Sequence, residues 1–252
     1  MHPVLAVTLQ AMQSDMSRME RVAMNLANVQ TPGYKREVIA EGAFTQALRT
    51  QGLADAQQAG AVATAVHLDM RQGTMKTSAQ GLDLALSGSG WFEVLTEQGP
   101  AYTRLGNFRR DAQGRLVTAQ GLPVAGTGGE IQLPEGPVSI DAAGRIFEAV
   151  AGDGKAAKAR SEPLAQLKVV AFEEAAAARR LGNGLVAFPG ATPRAEGGTE
   201  VRQGYLENAN VSSMQEMVQL MQTMRHFESL QKVALSYDEM LGNAIRKLGE
   251  GQ

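Results

Sequence analysis

Leu5-Ala6-Val7-Thr8-Leu9-Gln10-Ala11-Met12-Gln13-Ser14-Asp15-Met16-Ser17-Arg18-Met19-Glu20-Arg21-Val22-Ala23-Met24-Asn25-Leu26 is the stretch whose reading decides the fold. Within it Leu5, Leu9, Met12, Met16, Met19, Ala23 and Leu26 follow one another at alternating spacings of four and three. A 3.5-residue period places them on one narrow stripe of a helix, the a and d seam of a coiled coil. The far end of the chain repeats the pattern. Met217, Leu220, Met224, Phe227, Ala234, Leu241, Ile245 and Leu248 form a ladder of the same spacing, with Gln231 and Asp238 as its polar rungs. A helix cannot bury such a stripe alone, so the two ends require each other or copies from neighbouring molecules.

Both helices carry boundary signals. The first stops at Asn28-Val29-Gln30-Thr31-Pro32-Gly33-Tyr34, where Pro32 pushes Thr31 out of the helical region and Gly33 permits a turn. Ser213 followed by Glu216 reads as a capping box opening the second, and Arg246 and Lys247 complement the helix dipole in its last turns.

Between the helices the period changes. Residues 35–65 hold no sustained pattern beyond a short helix at Glu41–Leu48, and read as an extended or adaptable connector. From Val66 onward the period is two. Candidate strands are Val66–Met70, Leu82–Leu86, Trp91–Leu95, Ala101–Phe108, Arg115–Thr118, Ile131–Leu133, Val138–Ile140, Arg145–Ala149, Leu167–Phe172 and Leu185–Phe188. Short strands at this spacing argue for a barrel or sandwich rather than βαβ units. The expected class is therefore α+β. The terminal helices, 1–30 with 208–252, form a coiled-coil axial domain; 31–65 is the connector and 66–207 a β-rich outer domain.

Composition excludes several classes. A net charge of −2 and a pI near 6.0 give no reason to expect nucleic acid. No apolar run is long enough to span a bilayer. The start lacks a basic n-region, so no cleaved signal is expected. With no cysteine there are no disulfides, thiolate metal sites or Cys nucleophile. The histidines, His2, His67 and His226, have no metal-like spacing. Asp111-Ala112-Gln113-Gly114 and Asp141-Ala142-Ala143-Gly144 head two similar segments, and tight hairpin turns suit them better than calcium loops, whose further acidic ligands are missing. Gly88-Ser89-Gly90 reads as a turn, not a dinucleotide fingerprint. We expect no catalytic, cofactor or metal residues, and no enzyme.

Several stretches in order carry a resemblance. They are Asn25 to Arg36, with Asn28, Thr31, Pro32, Gly33 and Tyr34 at its centre; Gln72-Gly73-Thr74; Leu82 to Val94; Ala101 to Phe108; Gly114 to Thr118; Gly204 to Val211; and Met224 to Glu228. Together they resemble bacterial flagellar rod and hook proteins over nearly the whole chain. The modest length favours a rod protein, with the proximal (FlgF) type preferred to the distal (FlgG) type. The resemblance implies a structural subunit that assembles with copies of itself and other rod proteins into a helical tube. It implies passage through the flagellar type III export apparatus, a place in the periplasmic rod of the basal body, torque transmission, and an enclosed export channel. The assembly interface would be the two seams: Leu5, Leu9, Met12, Met16, Met19 and Leu26, with Met217, Leu220, Met224, Phe227, Leu241, Ile245 and Leu248. Alternatives are a hook-family axial protein and, from another class, a wall-acting β-domain enzyme.

Overall fold

The computed structural model describes residues 3–39, 66–149, 162–172, 178–195 and 197–249. Most of the 35–65 connector, with Glu41–Leu48, lies outside the described residues, as do the side chains of Leu241, Ile245 and Leu248 and all of His2. The chain divides into two compact units. One holds both terminal helices with Glu37–Ile39; the other holds Asn28–Arg36 and His67–Val211.

In the helical unit, α1 spans Pro3–Ala27 and α2 spans Ser213–Gly249. Pro3 opens α1, where its missing N–H costs nothing. At the start of α2 the Glu216 N–H donates to the Ser212 carbonyl at 3.0 Å. The two helices pack on each other. Asp15 meets His226 and Asn25 meets Glu216, so ten residues forward on α1 match ten residues backward on α2. The pairing is antiparallel and in constant register. In that register the start of α1 reaches the level of Asp238, and α2 runs on to Gly249 for roughly three further turns.

The β unit contains one six-stranded antiparallel sheet. Its strands lie in the order Arg179–Gly182, Leu185–Ala187, Gly99–Thr103, Trp91–Thr96, Val169–Ala171 and Arg194–Ala195. A three-stranded sheet and several two-stranded ribbons complete it. The α+β expectation holds in its coarser form, two packed terminal helices and a β-rich middle. Among the described residues the sheets close into no barrel.

Trp91–Thr96 explains the position of the core. Successive side chains point to opposite faces of a strand. Phe92 enters a cluster with Leu84, Leu86, Phe108, Leu116 and Ile146, whereas Trp91 enters another with Leu68, Tyr102, Val186 and Phe188. Buried on both faces, this strand reads as a continuous run rather than an alternation.

Most expected strands form at Val66–Leu68, Leu84–Ser87, Trp91–Thr96, Gly99–Thr103, Leu116–Val117, Val138–Ile140, Arg145–Glu148, Val169–Ala171 and Leu185–Ala187. Ile131–Leu133 makes only an isolated bridge through Gln132, although Ile131 and Leu133 are buried. Further strands had too little alternation to be read, among them Met75–Thr77, Arg179–Gly182, Arg194–Ala195, Glu200–Gln203 and Tyr205–Glu207. Glu200–Gln203 pairs with Leu84–Ser87 and Tyr205–Glu207 with Met75–Thr77, joining the end of the unit to its beginning.

The similar segments are twin hairpin turns. Asp111 Oδ1 accepts from the N–H groups of Gln113 and Arg115 at 2.9 and 2.7 Å, and Oδ2 accepts from Arg115 Nε at 2.8 Å. Asp141 does the same with Ala143 and Arg145 at 3.0, 2.9 and 2.7 Å. Gly114 and Gly144 supply φ of 81° and 75°. Burial pushes each Asp carboxyl up, but these hydrogen bonds outweigh it and hold both below the ordinary value. Each carboxylate is thus already engaged by its own turn.

Candidate assembly face and connector clip

The helices meet along a face set one position away from the stripe of greatest apolarity. On α1 the residues that lose water include Leu5, Thr8, Met12, Asp15, Met19, Val22, Asn25 and Leu26; on α2 they include Glu216, Leu220, Thr223, Phe227, Leu230, Ala234 and Tyr237. The spacing is again three and four. Leu5, Met12, Met19, Leu26, Leu220 and Phe227 therefore enter the helix pair, half-buried. Between them sit polar rungs. Thr8 and Asp15 are each 6% exposed, whereas their apolar neighbours Leu9 and Met16 are 50% and 51% exposed. The same holds on α2, where Glu216 and Thr223 are buried while Met217 and Met224 face outward with Met221. The pair buries one seam and presents a second, more apolar one.

The buried polar rungs are matched. Asp15 Oδ2 lies 2.6 Å from His226 Nδ1. The Asn25 amide donates to Glu216 Oε2 at 3.2 Å and to the Glu37 carbonyl at 2.9 Å, and its oxygen accepts from the Glu37 N–H at 2.9 Å. Arg21 reaches the Glu37 carboxylate at 3.2 Å.

Within the β unit, the connector turn is bound to the segment that precedes α2. The Thr31 N–H donates to Asn28 C=O at 3.0 Å, and Pro32 follows. Gly33 adopts φ of 65° and donates to Glu207 C=O at 2.7 Å. A Cβ there would lie 2.5 Å from the Arg104 carbonyl carbon, so only glycine fits. Tyr34 is buried beneath the Arg180 guanidinium, 4.2 Å from its ring centroid. Lys35 Nζ donates to Glu207 Oε1 at 2.7 Å and to Arg71 C=O at 2.8 Å, while Arg104 Nη1 donates to Glu207 Oε2 at 3.2 Å. All three charged side chains are at most 2% exposed. Burial draws the Lys35 ammonium below its ordinary pKa, and the Glu207 carboxylate counters part of that pull. Asn210 completes the clip. Its oxygen accepts from the Arg36 N–H at 2.7 Å, and its amide donates to the carbonyls of Asp69 and Arg71.

Lys35, Arg104, Glu207 and Asn210 all lie in the stretches quoted above, yet their joint role was not read from them. The available signal was a charge set into an apolar context, as at Tyr205-Leu206-Glu207. Among the described residues no three His, Cys, Asp or Glu side chains gather as a metal site would require, and no helix is long and apolar enough to cross a membrane.

Two family models match the chain: the flagellar hook protein FlgE/F/G D1 domain over residues 85–148, and the flagellar basal body rod FlgEFG protein C-terminal over 202–247. The chain is 34% identical to the flagellar basal-body rod protein FlgF of Salmonella typhimurium over 90% of both chains. It belongs to the flagellar basal-body rod protein family. Other members of the rod family are equally well covered. FlgF of Escherichia coli is 33% identical over 90% of both chains, and FlgG of Agrobacterium fabrum is 31% identical over 97% of this chain and 98% of its own. The matched C-terminal region contains Glu207, Asn210 and most of α2, so both the clip and the exposed seam involve rod-family sequence.

Proposed function

We propose that this chain is a structural subunit of the flagellar basal-body rod, where it packs with copies of itself and with other axial proteins into a helical tube. The observation that carries this reading is the outward stripe of Leu9, Met16, Met217, Met221 and Met224, left beside a seam the chain has already closed. Exposed apolar stripes of this length mark interaction surfaces. Methionine suits a wall whose neighbours are not all identical, since its unbranched side chain adapts to several shapes. Coiled-coil packing of the helices along the axis, torque transmission, an enclosed channel and delivery by the type III apparatus belong to the same reading.

Within the rod we favour the proximal, FlgF type. The match to the FlgG relative runs over 267 aligned positions against a chain of 252 residues, so it opens gaps in this chain. The FlgF matches from Salmonella typhimurium and Escherichia coli run over 234 positions covering 90% of this chain, and so open fewer gaps in it.

The test introduces a charge on the open stripe, Leu9→Asp or Met16→Asp. Desolvating an unpaired charge costs several kcal/mol in practice, on the order of the whole gain from one contact. Circular dichroism of the purified variants should be unchanged, while basal bodies lack complete rods and cells do not swim. Normal rods and normal swimming would overturn the reading.

A further inference from the structure

We propose that the polar rungs of the helix pair act as a register key, fixing how far α2 slides along α1 and so holding the apolar stripe in one frame. The apolar rungs alone cannot choose a register. Leu5, Met12, Met19 and Leu26 on α1 repeat every seven residues with side chains of similar size, as do the apolar positions Leu220, Phe227 and Ala234 on α2, which differ in size. A slip of one heptad still brings each against an apolar neighbour, so apolarity alone does not forbid it. The polar rungs do not repeat in that way. Asp15 finds His226 and Asn25 finds Glu216 in one register only. In the pair slipped to set Met19 against Leu230, Asp15 would lie against Val233 instead of His226 and lose its partner, and Asn25 would lose Glu216, which passes beyond the end of α1 at Ala27.

Asn25 adds a second constraint. Its amide matches both backbone groups of Glu37, so the segment leaving the connector turn is tied to the same rung that pairs with Glu216. One side chain thereby aligns three parts of the helical unit. Apolar residues in place of Asn25 and Glu216 would hold the helices together at least as well, because a buried polar pair seldom adds stability over a well-packed hydrophobic one, and the Asp15–His226 contact, with His226 largely exposed, adds little. The work assigned to Asp15, His226, Asn25 and Glu216 is therefore selection among pairings.

The proposal rests on the rod reading only for what a fixed register serves, and cross-linking inside one chain reads the register whether or not rods form. The natural chain has no cysteine, which leaves the background clean. Met12→Cys with Leu230→Cys reports the observed register; Met19→Cys with Leu230→Cys reports a slip of one heptad. Each pair is oxidised in the full chain, in the parent sequence and in two backgrounds: Asn25→Leu with Glu216→Leu, and Asp15→Leu with His226→Leu. The parent should cross-link through Met12→Cys and not Met19→Cys. In either Leu background the slipped-to-observed ratio should rise about tenfold, the factor expected when one unsatisfied buried polar group stops penalising the slip. The second background leaves the Asn25–Glu37 contacts intact, so it decides the matter if the first fails to fold. Equal cross-linking of both pairs in the parent would overturn the proposal. So would an unchanged ratio in the folded variants, or loss of both cross-links, which would make these residues necessary for pairing rather than for choosing it.

Discussion

The helical unit and the β unit spend their polar and apolar residues in opposite ways. In the β unit Phe92, Leu84, Leu116 and Ile146 are sealed inside, and buried Lys35 and Arg104 both pair with the buried Glu207 carboxylate. In the helical unit the closed seam holds Thr8, Asp15, Asn25, Glu216 and Thr223 between its apolar rungs, while Leu9, Met16, Met217, Met221 and Met224 face outward. A chain that had only to fold would reverse that second arrangement, because burying the methionines would release more water-exposed apolar area. The β unit thus buries most of its large apolar side chains within one molecule, whereas the helical unit leaves a row of its own exposed.

The contrast breaks or sharpens in three measurements. The largest effect is expected at the clip. Glu207→Ala leaves Lys35 and Arg104 buried without their carboxylate, and should cost about 3–5 kcal/mol of β-unit stability. Urea unfolding followed by fluorescence of Trp91, the sole tryptophan, measures it. A loss below 1 kcal/mol, less than about one neutral hydrogen bond, would mean the triad is far less isolated from water than its burial indicates.

An intermediate effect is expected at Gly33→Ala. The added methyl meets the Arg104 backbone and the φ of 65° disfavours a side chain, a strain of about 2 kcal/mol. The same unfolding assay should show a lower midpoint with unchanged slope. An unaltered midpoint would show that the turn relaxes freely.

The smallest effect on the isolated chain is expected at Met16→Ala, within about 0.5 kcal/mol of the parent, as for a surface substitution. Rod yield in cells should fall nonetheless, scored by electron microscopy of basal bodies. A large loss of stability in the isolated chain would place Met16 in the internal seam and end the contrast.

Much of the fold was legible from the sequence for local reasons. Two helices followed from a 3.5-residue period, and the twin hairpins from Asp and Gly three residues apart. The connector turn followed from Pro32 and Gly33. What escaped depends on partners far along the chain. Apolar periodicity selects the stripe with most methyl groups, which is why Leu9 and Met16 were read beside Leu5 and Met12. The face actually closed is decided by Asn25 and Glu216, 191 residues apart, and by Asp15 and His226, 211 apart. Nothing in the neighbourhood of Asn25 announces that its amide will be satisfied. Glu207 was hidden likewise, since Lys35 lies 172 residues away.

The clip also has a mechanical consequence. The chain first enters the β unit just after α1 and leaves it for good just before α2, passing back through the helical unit in between, and at those two places Gly33, Lys35 and Arg36 are bonded directly to Glu207 and Asn210. Tension applied along the backbone at either crossing is handed to the other through these few short bonds loaded side by side. The strands from Trp91 to Ala195 lie on the slack side of that shortcut, as a side branch of the load path. A pull strong enough to strain the clip would therefore still find the hydrophobic interior of the β unit at rest.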